Sequence, residues 1–314
     1  MNLASRFLLC LLWVALSASL VDAQLVVPDE ARAGLQLLYE GDFDRAVAFF
    51  RTLQETTPEH PLGYLLEANA VWWQRWCASI AINAQGFVDA LPEKDSPLDA
   101  PYRALLAAAR TRAEAYLARA PRSAEAEFYL GMTYALEGRL AGLRREARAT
   151  ASAGKKMRAE LLRARRLDAQ LDDALLGLGL YNYYVATLSP VVKLLRVLLF
   201  IPGGSKAEGV RQLARAAERA VLVPAEARFW LGKNLRNFDR DYAGALVQFR
   251  QLVVSYPQNP LFYLLVAGLE AQMGATEAAR RSFARAAQLA GRDCECHRRV
   301  RELAAQGLAQ LGTP

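Results

Sequence analysis

One phrase recurs three times in this chain and constrains its fold more than any other feature. It reads Gly41-Asp42-Phe43-Asp44-Arg45-Ala46, followed by Phe50 and Pro58. It returns as Asp241-Tyr242-Ala243-Gly244-Ala245, followed by Phe249 and Pro257, and as Gly274-Ala275-Thr276-Glu277-Ala278-Ala279, followed by Phe283 and Ala286. A second phrase carries the half that belongs before it. Leu130-Gly131 precedes Tyr134, Leu178-Gly179 lies within Gly177 to Tyr181, and Leu231-Gly232 precedes Leu235. The halves fit together as helix, tight turn, helix. Small residues at Gly131, Gly179 and Gly232 let two helices approach closely, and Ala46, Ala245 and Ala279 do the same from the second helix. The aromatic that follows (Phe50, Phe249, Phe283) fills the space between repeats. Pro58 and Pro257 end the second helix, because proline cannot donate the next hydrogen bond.

These residues resemble the tetratricopeptide repeat (TPR). The resemblance implies an all-α, TPR-like helix-turn-helix solenoid, wound as a right-handed superhelix, that binds other proteins and carries no catalysis. Six units begin near Val27, Pro61, Ala124, Asp172, Ala225 and Leu261 and cover most of residues 24–314. The first, fifth and sixth follow the pattern closely. The middle three are interrupted by inserts, expected to be helical, at about 74–99, 138–153 and 187–204. A unit alone cannot bury its apolar face, so stacking is obligatory, and residues 298–311 are expected to form a capping helix. Gly177-Leu178-Gly179-Leu180-Tyr181-Asn182, then Ser189-Pro190-Val191-Val192-Lys193-Leu194-Leu195, then Gly203-Gly204 and Gly209, resemble the TPR-like mitochondrial outer-membrane inclusion-clearance family. That second resemblance implies a fold and no chemistry.

Residues 1–23 read as a secretory signal peptide. Arg6 supplies the positive start, Phe7 to Ala18 the apolar run, and Val21-Asp22-Ala23 the small residues of a cleavage site after Ala23. The alternative is an uncleaved N-terminal anchor. Export places the mature chain in the periplasm or outside the cell. Hydrophobic residues make up 53% of the chain, enough to build a core and exclude global disorder. Only 4 cysteines exclude a disulfide-stapled mini-fold.

Chemistry is sparse. There are 2 histidines, His60 and His297, and none of the common hydrolase, metalloprotease or nucleotide-binding motifs is present, so neither catalysis nor a cofactor is expected. Gly203-Gly204-Ser205-Lys206 reads better as a turn with a Ser205–Glu208 capping box than as a phosphate cradle. Cys294-Glu295-Cys296-His297 has the wrong spacing for haem attachment and lacks a nearby fourth zinc ligand. An oxidising compartment favours a disulfide. Cys77 belongs to the second unit and Cys294 follows the sixth, so a bridge between them requires the superhelix to close on itself. The remaining choices are a tight Cys294–Cys296 bridge, an intermolecular bridge or free thiols.

Two surfaces could bind a partner. Trp72, Trp73, Trp76, Tyr183, Tyr184 and Phe229 fall at or near first-helix positions, which face the groove of a TPR superhelix. There they would hold a peptide, unless the inserts already fill the groove. Lys233, Arg236 and Asn237 beside them resemble the polar set with which some TPR grooves hold a carboxylate. The other surface is basic. Between Arg139 and Arg166 there are ten basic residues against two acids, Glu146 and Glu160, while the whole chain carries only +7. Arg144, Arg145, Arg148, Lys155, Lys156 and Arg158 form the middle of this run. It reads either as a solvated helix face or as a dock for an anionic membrane, lipopolysaccharide phosphates or an acidic protein. Nucleic acid is not an expected partner outside the cytoplasm. The apolar insert 191–201 could likewise lie on a membrane or, as the preferred reading, pack against the stack.

Overall fold

The computed structural model describes residues 25–92, 95–188 and 202–312. Residues 1–23, expected to be a signal peptide, and the apolar insert 191–201 lie outside the described residues. Among those described, thirteen α-helices form six antiparallel hairpins and a cap. The hairpins are α1 Asp29–Tyr39 with α2 Phe43–Thr56, α3 Leu62–Ala78 with α4 Asp99–Arg119, and α5 Ala124–Leu143 with α6 Ala147–Leu167. They continue as α7 Ala174–Thr187 with α8 Lys206–Arg219, α9 Pro224–Asn234 with α10 Tyr242–Ser255, and α11 Pro260–Gln272 with α12 Thr276–Leu289. The cap is α13, Glu295–Gln310. This is an all-α, TPR-like solenoid.

Local chemistry sets the helix ends. Asp241 accepts from the Gly244 N–H at 2.9 Å and Asn259 from the Leu261 N–H at 2.9 Å. Ser205 caps α8 by accepting from the Glu208 N–H, as the Ser-Lys-Ala-Glu spacing predicts. Pro224 and Pro260 open α9 and α11, where a missing N–H costs nothing. Within hairpins, glycine meets ring. A Cβ on Gly34 would sit 2.5 Å from Phe50 Cε1, and one on Gly232 would sit 3.0 Å from Phe249 Cε1. Larger residues there would hold the helices apart.

The first two inserts depart from expectation. Residues 80–90 form a two-stranded antiparallel hairpin, β1 Ile80–Ile82 paired with β2 Val88–Ala90, with Ala81 opposite Asp89. Its turn is set by Asn83, whose side chain accepts from the Gln85 and Phe87 N–H groups, and by Gly86 at φ +81°. No separate insert stands at 138–153, because α5 and α6 simply run 20 and 21 residues with a tight turn between them.

The stack closes on itself. The cap α13 packs against α11 and α12, as a solenoid cap should, but also against α3 and β1. The first hairpin meets the turn between α10 and α11. The Gln258 N–H donates to Glu40 at 2.7 Å and Asn259 Nδ2 donates to the Tyr39 carbonyl at 2.7 Å. Cys77 on α3 is bonded to Cys296 on α13, with Cα atoms 5.0 Å apart. This replaces the expected Cys294–Cys296 bridge and leaves Cys294 as a free thiol. The long separation along the stack does not keep Cys77 from the cap, because the superhelix returns to its second unit.

Candidate functional site in the closed groove

The groove residues share a region of the sequence pattern but not an open surface. On α3, Trp72, Trp73 and Trp76 lie within one turn, and all three are buried. Their rings meet α9: Trp73 lies 4.7 Å from Phe229, Trp76 5.2 Å from Phe229 and Trp72 5.7 Å from Trp230. The expectation that Trp72, Trp73 and Phe229 line an open peptide groove therefore fails. Removing a large apolar side chain from water is worth about 1.5–3 kcal/mol, so two aromatic helix faces gain more from meeting each other than from waiting for a ligand. Tyr183 and Tyr184 stand apart on α7, where each ring lies 5.8 Å from Phe238. Tyr183 is buried and its hydroxyl lies 3.1 Å from the Asn234 carbonyl and 2.8 Å from Asp239. Tyr184 is only half-buried.

A charge sits in this aromatic interior. Arg139 on α5 is ion-paired with Glu226 on α9 and donates to Asn69 on α3 at 3.2 Å. Its guanidinium stacks near the rings of Trp72, at 5.1 Å, and Trp230, at 5.5 Å. Trp73 Nε1 donates to the second oxygen of Glu226 at 3.2 Å. Burial opposes the charge on Glu226, but Arg139 outweighs it and holds the carboxyl below its ordinary range. One arginine thus ties the first helices of the second, third and fifth hairpins together. The sequence count placed Arg139 in the surface run and passed over Glu226. An isolated Glu on an apolar helix, without a cation at helical spacing, was the signal available.

Lys233, Arg236 and Asn237 do hold a carboxylate, and it is the chain's own. Asp89 on β2 takes Lys233 at 3.1 Å, Arg236 at 3.3 Å and a hydrogen bond from Asn237 Nδ2 at 2.7 Å. Arg236 and Asn237 stand on a π-turn, Leu235–Asp239, that continues α9. Burial pushes the Asp89 carboxyl up, and Lys233 with Arg236 more than reverse it, so it stays below its ordinary range. Arg299 on α13 donates to the Ile80 carbonyl at 2.6 Å, so the same hairpin is gripped from both sides of the closure. The set is occupied by the first insert rather than open to a partner.

The basic run splits by helix phase. Arg144 is mostly buried and paired with Asp99, so it leaves the proposed anionic-surface patch. Arg163 pairs with Glu160, and Arg165 with Asp172 at 3.3 Å. Lys156 and Arg158 lie over the rings of Tyr134 and Tyr181, at 5.2 and 5.3 Å. Arg145, Arg148 and Lys155 remain exposed, and none of them is in an ion pair among the described residues. Arg145 occupies the turn itself, at φ +58°. No helix among the described residues is long and apolar enough to cross a membrane, and no group of three His, Cys, Asp or Glu among them is placed to hold a metal ion.

Comparison with known proteins returns folds alone. No family model matches the chain, and no curated protein does. Similar solved structures include TTC0263, a thermophilic TPR protein of Thermus thermophilus, at 17% identity and TM-score 0.44, covering 77% of this chain and 97% of that one. The C-terminal part of a TPR repeat-containing protein of Cytophaga hutchinsonii matches at 12% identity and TM-score 0.36, over 90% of this chain and 95% of that one. The APC/C hetero-tetramer Cut9-Hcn1 matches at 10% identity and TM-score 0.37, over 90% of this chain and 49% of that one.

Proposed function

We propose that this chain is an exported, non-catalytic scaffold that binds a protein partner on its outer helix faces. The observation that carries this reading is the filled interior: Trp72, Trp73 and Phe229 bury one another, and Asp89 occupies Lys233, Arg236 and Asn237. What remains exposed is the outer row of second helices. There α10 shows Val247 and Val254, 52% and 80% exposed and two turns apart on one stripe. The apolar run Phe7 to Ala18 with its Val21-Asp22-Ala23 site supports export to the envelope. A photo-crosslinker at Val254, compared with one at exposed Glu55 on α2, tests the proposal in a pull-down from native envelope. A discrete protein captured from Val254 alone is the expected result, and identical capture from both positions would sink it.

The exposed cations of the α5–α6 turn and α6 support a second reading, docking on an anionic membrane or on lipopolysaccharide. Each basic residue near such a surface could add about 1 kcal/mol, screened within a Debye length of about 10 Å at 0.1 M salt. Liposome flotation separates the two readings. Binding that needs anionic lipid, falls as salt rises and weakens in the Arg145→Gln, Arg148→Gln, Lys155→Gln variant supports docking. Equal binding to neutral vesicles, or none at low salt, removes it.

A further inference from the structure

The closure creates a cleft that neither reading uses. It has a volume of about 610 Å³ and lies where the α1–α2 turn, the end of α3, the loop before α4 and the start of α13 converge. That is within the range of small-molecule sites, roughly 300–1,000 Å³.

One side chain in its lining is under-partnered. Arg75, on the last turn of α3, is 2% exposed. Its one ion-pair contact among the described residues is Asp99, 2.8 Å from Nε, and that contact lacks hydrogen-bond alignment. Neither Nη1 nor Nη2 has an acceptor among the described residues. Asp99 is shared with Arg144, which has Asp95 and Glu146 as further partners. A buried cation left with unmet donors is costly, and an incoming carboxylate is the group that meets two parallel N–H donors best. The same cleft holds the start of α13, a 16-residue helix whose first N–H groups no side chain caps.

The other charged residues of the lining point to the rest of the ligand. Asp44 and Asp293 are exposed and make no ion pair among the described residues. Asp42 is already taken by Arg45 and Arg292, and Glu295, the first residue of α13, by Arg298. The cleft therefore combines a buried guanidinium short of acceptors with free negative charge at its exposed residues. We propose that it is a binding site for a small zwitterion, an amino acid or short peptide, whose carboxylate meets Arg75 and the α13 N-terminus and whose ammonium meets Asp44 and Asp293. This goes beyond the scaffold reading and stands or falls apart from it.

Calorimetric titration of the full chain tests the site with three probes. Glycylglycine carries both charges, N-acetylglycine lacks the ammonium, and glycinamide lacks the carboxylate. Glycylglycine should bind saturably and the other two about tenfold more weakly or worse, since each leaves a site charge unmet. Arg75→Gln should bring glycylglycine down to the level of glycinamide. Because that variant removes a buried group, Asp44→Asn with Asp293→Asn provides a surface change that spares the fold. It should erase the preference for glycylglycine over N-acetylglycine. No saturable glycylglycine binding, equal binding of either truncated probe, or an unchanged ranking in the double variant overturns the proposal.

Discussion

Arg139 and Lys155 come from the same basic run yet meet opposite fates. Arg139 lies in the aromatic interior, paired with Glu226 and flanked by Trp72 and Trp230. Lys155 stands exposed on α6 with no ion pair among the described residues. The two helices differ in position and in composition: α5 is a largely apolar first helix facing the closed interior, and α6 is a strongly basic second helix facing out. A charge count along the chain cannot distinguish them. Which turn of which helix carries the charge decides whether it becomes a structural tie or a free surface group.

The largest expected effect breaks the interior side of this contrast. Arg139→Leu leaves Glu226 buried without its cation and should cost about 3–5 kcal/mol, read from denaturant midpoints. A loss under about 1 kcal/mol would mean that water already reaches the pair. Next comes the closure. Reducing Cys77–Cys296, whose partners are 219 residues apart, should remove about 2–5 kcal/mol, visible as a lower melting temperature in reductant. Unchanged melting would show that burial alone holds the seam.

The packing prediction is smaller. Gly34→Ala drives a Cβ to 2.5 Å from the fully buried Phe50 and should cost roughly 1–3 kcal/mol, more than the roughly 1 kcal/mol of helix propensity it gains. Gly142→Ala meets nothing within 4 Å and should stabilise by a few tenths of a kcal/mol. Thermal melts of the two variants should shift in opposite directions, and matching shifts would refute the proposed glycine–ring fit.

Acid sharpens the comparison further. The folded-state pKa of Asp89 lies below its unfolded value, so its contribution is complete above the ordinary carboxylate range and is lost as pH falls through the folded value. Stability against pH should therefore drop less steeply on the acid side in Asp89→Asn than in wild type. Parallel acid slopes would count against the clamp. The smallest effect belongs to the outer face: Arg148→Gln with Lys155→Gln should change stability by no more than about 0.5 kcal/mol.

The hairpin architecture was legible because it is local. Ala46, Phe50, Ala245, Phe249, Ala279 and Phe283 mark close helix approaches at fixed spacing, and all six are buried. The Ser205 cap could be read from four consecutive residues. The helical reading of residues 80–90 failed because that segment is held as a hairpin by Asp89, Phe87 and Ile80, through partners more than a hundred residues away. The Trp72–Trp73 pair and Phe229 stand out in the sequence as groove candidates, whereas Trp230, the other ring that meets them, does not, because only the closure brings it to Trp72.

By itself, then, the sequence determined the all-α helical-hairpin repeat, since helix periodicity, small-residue contacts and caps act over a few residues. Only the tertiary structure decided that the ends meet, that Cys77 finds Cys296 rather than leaving it to Cys294, that Asp89 fills the polar set on α9, and that Arg75 is left short of acceptors. Each of those depends on a small rotation between successive hairpins, repeated along the stack. Such rotations sum over six units, so a slight change per repeat separates an open superhelix from one that closes on itself.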